Sequence, residues 1–184
     1  MYQGSGVTEA EQFLRATVPL YNPENPHMAK TALRFATMLK DLTTPDPAFD
    51  FTTFESKTDE MVILSPMPFF ALCAHHIVPF YGEAHVGYIP DKQIAGLSKF
   101  PRLVRQICKG LHVQENLTAN IADVLIDKLA PLGVAVVIQA EHLCMAMRGI
   151  RQPGVVTTTS AMRGVFSDHE RTAKAEFMSI IRLR

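Results

Sequence analysis

The 184-residue chain has no tryptophan, only three cysteines and no surplus charge of either sign. Three cysteines, an odd number, do not make a disulfide framework. They fit a reducing compartment, where a thiol is more often a ligand or a core residue. Eighteen basic and eighteen acidic side chains cancel, so no global basic field points to nucleic acid. The longest apolar stretches, such as Gly133–Ala140, fall far short of the ~20 residues of a membrane span. The opening Met1-Tyr-Gln-Gly-Ser-Gly lacks a basic region followed by an apolar one, so no signal peptide is expected, and the expected location is cytoplasmic. No repeat with a period of about 20–50 residues is visible, and no stretch is composed like an interdomain linker. What is present is ordinary: 47% apolar and 20% charged residues, enough for one globular unit. The missing tryptophan and the nine methionines do not discriminate function.

The pattern along the chain predicts a helical start, with residues 1–50 as an N-terminal helical region and 51–184 as the main body. Thr8-Glu-Ala-Glu11 reads as a capping box opening a helix to about Tyr21. Asn22-Pro-Glu-Asn-Pro26 breaks it, and a second helix is expected over Met28–Leu42, ended by Thr43-Thr-Pro-Asp-Pro47. Short β-branched or aromatic segments then predict strands at Phe51–Glu55, Asp59–Leu64 and Ala84–Ile89. A helix is expected from Ser98, as N-cap with Pro101 in the first turn, to about Leu111. Another covers Glu115–Leu129, stopped by Pro131 and Gly133. Val134–Ile138 is a continuous apolar strand, followed by strands at Val155–Thr159 and Met162–Phe166. The order strand-strand-helix-helix-strand-strand predicts an α+β fold, a mainly antiparallel sheet with helices on one face.

Chemistry-bearing residues gather at two predicted strand ends. Cys73-Ala-His75-His76 lies near one, and His142-Leu-Cys144 ends the apolar strand. Thiolate plus imidazole is the ligand set zinc prefers. Three protein ligands with an open position for water is the usual catalytic arrangement, and no paired C-x-x-C of a structural site is present. Against this stands the plain reading that a free cysteine is a buried core residue. A second group suits a phosphorylated ligand. Ser98, Lys99 and Arg102 stand at a helix start, where backbone N–H groups point outward, and Arg148 follows Cys144 by four residues. The plain alternative is a solvated first turn. Glu115, beside Gln114, either caps its own helix or accepts two N–H bonds from a guanine edge. Cys108 reads as a core thiol and His85 lacks an evident partner. His27, His112 and His169 flank turns or helix ends and carry no assigned role.

These residues resemble one family. Cys73–His76 with Ile-Val-Pro-Phe80, His85-Val-Gly-Tyr-Ile-Pro90, Gly96-Leu-Ser-Lys99, Val113-Gln-Glu115, Leu117-Thr118, Gly133–Ile138, His142-Leu-Cys-Met145 and Met147-Arg-Gly149 look like GTP cyclohydrolase I. The likeness runs in the family's order from about Thr53 to Phe177, and Arg34-Phe-Ala-Thr-Met38 resembles the family's Arg-Val-Ala-x-Met helix. The resemblance implies a tunnelling fold, in which antiparallel sheets of several subunits join into a barrel with helices outside. It implies a toroidal homodecamer with active sites at subunit interfaces. It implies zinc held by Cys73, His76 and Cys144, proton transfer by His75 and His142, and a purine anchor at Glu115 with Gln114 beside it. Ser98, Lys99, Arg102, Arg148 and Arg34 correspond to the triphosphate-binding set.

The activity so implied is zinc-dependent hydrolysis of GTP to 7,8-dihydroneopterin triphosphate and formate, with no organic cofactor. The chain departs from the family's Cys-Glu-His-His at Ala74, where a methyl replaces a carboxylate that could accept a bond or orient an imidazole. Thr31-Ala32 stands where Thr-Pro is frequent. Two other readings follow: a paralogue acting on a related purine nucleotide or feeding a 7-deazapurine pathway, and a zinc- and nucleotide-binding oligomer without turnover.

Overall fold

The computed structural model describes residues 6–167 and 172–182. His169 lies outside the described residues. The chain divides into two compact units, Met1–Thr44 and Pro45–Arg184.

The first unit is a helix pair, α1 (Val7–Thr17) and α2 (Thr31–Thr43). Ala10 and Leu14 of α1 bury against Ala32 of α2, with Val7, Tyr21, Phe35 and Ala36 packed around them. The helix start differs from the expected capping box. Glu9, not Glu11, reaches back, and its Oε2 accepts the Gly6 N–H at 2.9 Å. Glu11 instead pairs with Arg15 one turn on, at 2.7 Å. The helix ends at Thr17 rather than Tyr21, two residues before Pro19, which lacks the N–H needed to continue.

The second unit is α+β. Strands β1 (Thr53–Glu55), β2 (Val62–Cys73), β3 (Pro79–Ile89) and β4 (Gln93–Ala95) are followed by helix α3 (Lys99–Ile107). After the two-residue β5 (Leu111–His112) come α4 (Gln114–Leu129), β6 (Gly133–His142), the short α5 (Leu143–Ala146), β7 (Val156–Gly164) and α6 (Thr172–Arg182). β1 pairs with β4, and the main sheet runs β5-β2-β3-β6-β7. Its long ladders are antiparallel, while β5 joins β2 in parallel.

Strands β2, β3 and β6 run longer than the sequence pattern predicts, and two expected C-terminal strands form one. The expected strand stops at Leu64, yet β2 continues through Pro66, where the register shifts between Leu64 and Met67, and through Pro68, which stays paired with Glu83. A bulge absorbs a residue that cannot donate to the ladder. Ser160 and Ala161 join the two expected C-terminal strands into a single β7.

Helices cover both faces of the sheet, not one. Val134, Val136 and Ile138 of β6 pack in the main core with α3 and α4. The alternate residues Ala135 and Val137 pack with Phe166 and with Phe177 of α6. The physical reason lies in β6 itself. A strand apolar at every position needs cover on both faces, and α6 supplies the second. Gly87 makes room for it, since a Cβ there would lie 2.6 Å from the Phe177 ring.

Candidate metal centre and cleft

Cys73 is the last residue of β2, and a tight turn follows it. Ile77 N–H donates to Cys73 O at 2.9 Å and Cys73 N–H to Val78 O at 3.0 Å. Ile77 closes the turn at φ 54°, a left-handed conformation that a β-branched residue rarely adopts. Such strain costs roughly 1–3 kcal/mol and persists where surrounding structure enforces it. The turn brings both neighbouring imidazoles to the sulfur. His75 Nδ1 lies 3.7 Å and His76 Nδ1 3.9 Å from Cys73 Sγ. Two strands away, β6 ends at His142 and α5 presents Cys144. Cys73, His76 and Cys144 each offer a ligand atom, all within 4.8 Å of one another.

This donor set fits zinc. Bonds of ~2.3 Å to sulfur and ~2.0–2.1 Å to nitrogen put tetrahedral ligand atoms a little under 4 Å apart. Burial pushes the Cys144 thiol up, the neighbouring Cys73 adds to this, and the Arg148 guanidinium acts against it. A cation entering here displaces protons, because thiolate is the ligand form.

Cys73 and Cys144 also border a cleft of about 250 Å³, lined with them by His75, Gln114, Glu115 and His142 among others. His142 is held on two sides. Its ring stacks on Phe80, opposite it in the β3–β6 ladder, at 4.7 Å between centroids and 2° between planes. Its Nε2 lies 2.7 Å from Gln114 Oε1. The orientation of the Gln114 amide follows from its other contacts. Its nitrogen faces Ile138 O (3.3 Å), Thr157 O (3.0 Å) and Thr159 Oγ1 (3.1 Å), and the two carbonyls can only accept. The amide oxygen therefore faces the imidazole and accepts from it. His142 carries its proton on Nε2, and Nδ1 keeps the lone pair. Burial lowers the His142 pKa while the Glu115 carboxylate pulls it back up.

Of the residues singled out in the sequence, the structure brings Cys73, His75, His76, Gln114, Glu115, His142 and Cys144 together. Gln114 is 2% exposed, and its carboxamide is committed inside the protein. Thr118 and Thr159, whose hydroxyls lie 2.6 Å apart, complete this network. They stand 41 residues apart in the chain, so no local signal marks them. His112 also lines the cleft, although nothing in its local pattern places it there.

The expected phosphate-binding residues sit elsewhere. Ser98 has helical dihedrals and makes no capping bond, contrary to its expected N-cap role; the first turn begins one step earlier, with Lys99 N–H on Gly96 O at 2.9 Å. Lys99 Nζ donates to Asp50 O at 2.7 Å. Arg102 lines a separate depression with Asp46, Phe49 and Arg105. Arg34 belongs to the first unit, where it donates to His27 O at 3.1 Å. Arg148 is exposed and does not line the cleft, although its charge acts on Cys144. His85, expected to stand alone, has its Nδ1 2.6 Å from Ser65 Oγ at the β2 bulge.

Fold and site together define an α+β protein whose cleft adjoins a positioned histidine and a sulfur–imidazole group that could hold a metal. The profile of the family described as GTP cyclohydrolase I matches residues 9–182, and the chain belongs to that family and is an enzyme. It is 47% identical to the GTP cyclohydrolase 1 of Mycobacterium avium over 167 residues, covering 87% of this chain and 81% of that one. It is 52% identical to the GTP cyclohydrolase 1 of a Hydrogenobaculum species, over 73% of this chain and 75% of that one. The corresponding protein of Corynebacterium glutamicum is 53% identical over 71% of this chain and 67% of its own. Among solved structures, an apo archaeosine synthase, QueF-like, aligns with a TM-score of 0.47 at 19% identity, covering 59% of this chain and 97% of that one. Among the described residues, no helix is long and apolar enough to cross a membrane.

Proposed function

We propose that the chain hydrolyses GTP to 7,8-dihydroneopterin triphosphate and formate, in the cytoplasm, as a subunit of a homodecamer in which sheets join into the barrel of a tunnelling fold. The observation that carries this reading is the convergence of Cys73, His76 and Cys144 on the cleft that also holds His142 and Glu115.

Opening the imidazole ring of GTP requires water at C8, a proton for the departing ring nitrogen, and a second hydration that releases formate. The ribose then rearranges and recloses on the diamine. Cys73, His76 and Cys144 would hold zinc, which supplies a Lewis acid and lowers the pKa of a bound water to ~7. Glu115, at the start of α4, accepts the guanine N–H groups. His142 takes and returns protons at Nδ1, since Gln114 fixes the proton on Nε2 and burial favours the neutral ring. His75, bordering the cleft, serves as the second proton-transfer group. Gln114 positions His142, leaving purine contact to Glu115. Arg148 receives the phosphates, with Ser98, Lys99, Arg102 and Arg34 completing the set in the assembled ring.

The test is to incubate zinc-loaded protein with GTP and assay formate and a pterin that fluoresces on oxidation. Both products support the proposal. Formate from another purine nucleotide but not from GTP would favour the paralogue reading, and binding without formate would overturn the proposed reaction. Cys144→Ala leaves two of the three ligands and is expected to lose metal and formate release together, measured by elemental analysis and product assay. A Cys144→Ala protein with full zinc and normal turnover would remove the metal assignment.

A further inference from the structure

Successive residues of a strand face opposite sides of the sheet. His142 enters the cleft over Phe80, so Glu141 turns to the other face, level with Tyr81. There its two carboxylate oxygens bind different partners. Oε2 accepts the Tyr81 hydroxyl at 3.2 Å, and Oε1 accepts the Gly154 N–H at 2.8 Å.

Gly154 lies in the connection between α5 and β7, which also carries Arg148. This segment is exposed and sharply folded, with Gly149, Arg151 and Gly154 all at positive φ (60°, 52° and 80°). Two backbone bonds shape it from within: Gln152 N–H to Met145 O at 3.0 Å and Arg151 N–H to Arg148 O at 3.2 Å. Glu141 ties its far end to the sheet. A carboxylate suits this place because it accepts at both oxygens at once and its charge strengthens both bonds. The phenol stays a donor, since the bond to Glu141 and its charge both raise the Tyr81 pKa.

We infer that Glu141 is a positioning residue that clamps the α5–β7 connection to the sheet so that Arg148 is held for the triphosphate. The inference rests on the proposed role of Arg148. It gives two neighbours in one strand separate roles. His142 acts on the purine, and Glu141 sets the phosphate end from the opposite face.

The test compares Glu141→Ala, Glu141→Gln, Tyr81→Phe and Arg148→Ala in the zinc-loaded enzyme. Steady-state kinetics with GTP and amide hydrogen exchange over residues 147–155 are the readouts. Glu141→Ala is expected to raise KM about tenfold with kcat changed less than about twofold, and to speed exchange about tenfold, in line with loss of a bond to a charged acceptor. Glu141→Gln keeps an acceptor for Gly154 and is expected to restore both readouts to within about threefold. Tyr81→Phe leaves the Gly154 bond in place and serves if the alanine variant fails to fold; a rise of about twofold in exchange is expected. Unchanged exchange overturns the clamp. Fast exchange with unchanged KM, or a kcat loss at unchanged KM, overturns the role of Glu141 while leaving Arg148 intact. An Arg148→Ala enzyme with normal KM shows instead that the reading of Arg148 has failed, and this inference falls with it.

Discussion

Gln114 makes its contacts across long sequence distances, to Ile138, His142, Thr157 and Thr159. Truncating it would strand two carbonyls and an imidazole N–H in a buried place, at roughly 1–3 kcal/mol for each unsatisfied group. It would also free the His142 ring to change tautomer. Gln114→Ala is therefore expected to retain zinc but lose about 10–100-fold in kcat, the usual range for a residue orienting a functional group. Glu115→Ala is expected to act differently. It removes a charged acceptor from the guanine edge, worth ~1.5–3 kcal/mol, and weakens GTP binding. Calorimetric affinity with single-turnover rates separates the two; equal loss of affinity in both variants with turnover intact would reverse the assigned roles. The cysteines also differ one by one. Burial pushes the Cys108 thiol up to about 12, so at pH 8 almost none is thiolate, the reactive form. Iodoacetamide at pH 8 on folded, metal-stripped protein is expected to label Cys144 and leave Cys108 untouched until denaturant is added. Peptide mapping by mass spectrometry checks this, and early labelling of Cys108 would contradict its burial.

At the level of elements, α6 lays Phe177 directly on the sheet at Gly87. A methyl at this position has nowhere to go unless the ring moves. Gly87→Ala is expected to destabilise by about 1–3 kcal/mol, the range for overpacking, and Phe177→Ala by about 3–5 kcal/mol through the cavity it leaves. Denaturant unfolding of the two variants measures both, and a Gly87→Ala protein as stable as wild type would mean that α6 can shift without loss. This helix also marks a limit of reading elements from sequence. The apolar run Val134–Ile138 announces a buried strand, but what covers its second face is decided by a segment far later in the chain. Helices α3 and α4 were legible from prolines and local periodicity, although neither is capped by a side chain, while the strands that carry Cys73 and His142 end beyond the segments the pattern marked. The length of β2 was not legible, since the bulge at Pro66 and the pairing of Pro68 with Glu83 are set by the neighbouring strand. The site followed the same division. Residue types at Cys73, His76, His142 and Cys144 pointed to metal and proton chemistry. The use of Gln114 as a support for His142, and of Glu141 as a tie for the Arg148 segment, depends on contacts between distant strands and loops.

For the whole molecule, the separation of the charged groups within one chain is the informative fact. The cleft is lined by Cys73, Cys144, His142 and Glu115, while Arg102 lines a different depression and Lys99 is bonded to Asp50 O. A triphosphate needs cations, and among the described residues the cleft lining of a single chain includes no lysine or arginine, Arg148 standing only near enough for its charge to act on Cys144. Among the described residues, β7, nine residues long, is an edge strand of the five-stranded sheet, paired with β6 alone, and such an edge invites another strand. Exposed apolar residues at Phe70, Ile150, Val155 and Val156 add surface that favours burial in an assembly. The proposed ring assembly through such edges, with Lys99 and Arg102 serving a neighbour's cleft, would satisfy both needs at once. Activity is then a property of the interface, and two inactive subunits can complement each other. Arg102→Ala and His142→Ala are each expected to lose most activity as pure assemblies. When they are unfolded, mixed and reassembled, interfaces that bring the intact His142 of one subunit to the intact Arg102 of another regain turnover. With random mixing at equal amounts, about a quarter of interfaces should carry both groups, a ceiling set by pairwise statistics for assembled subunits. Formate release from the mixed rings against the two pure controls measures the gain. No recovery in rings shown by light scattering to be assembled would put Arg102 and His142 on the same chain's site. A fully active monomer at assay concentration would remove the shared-site arrangement altogether.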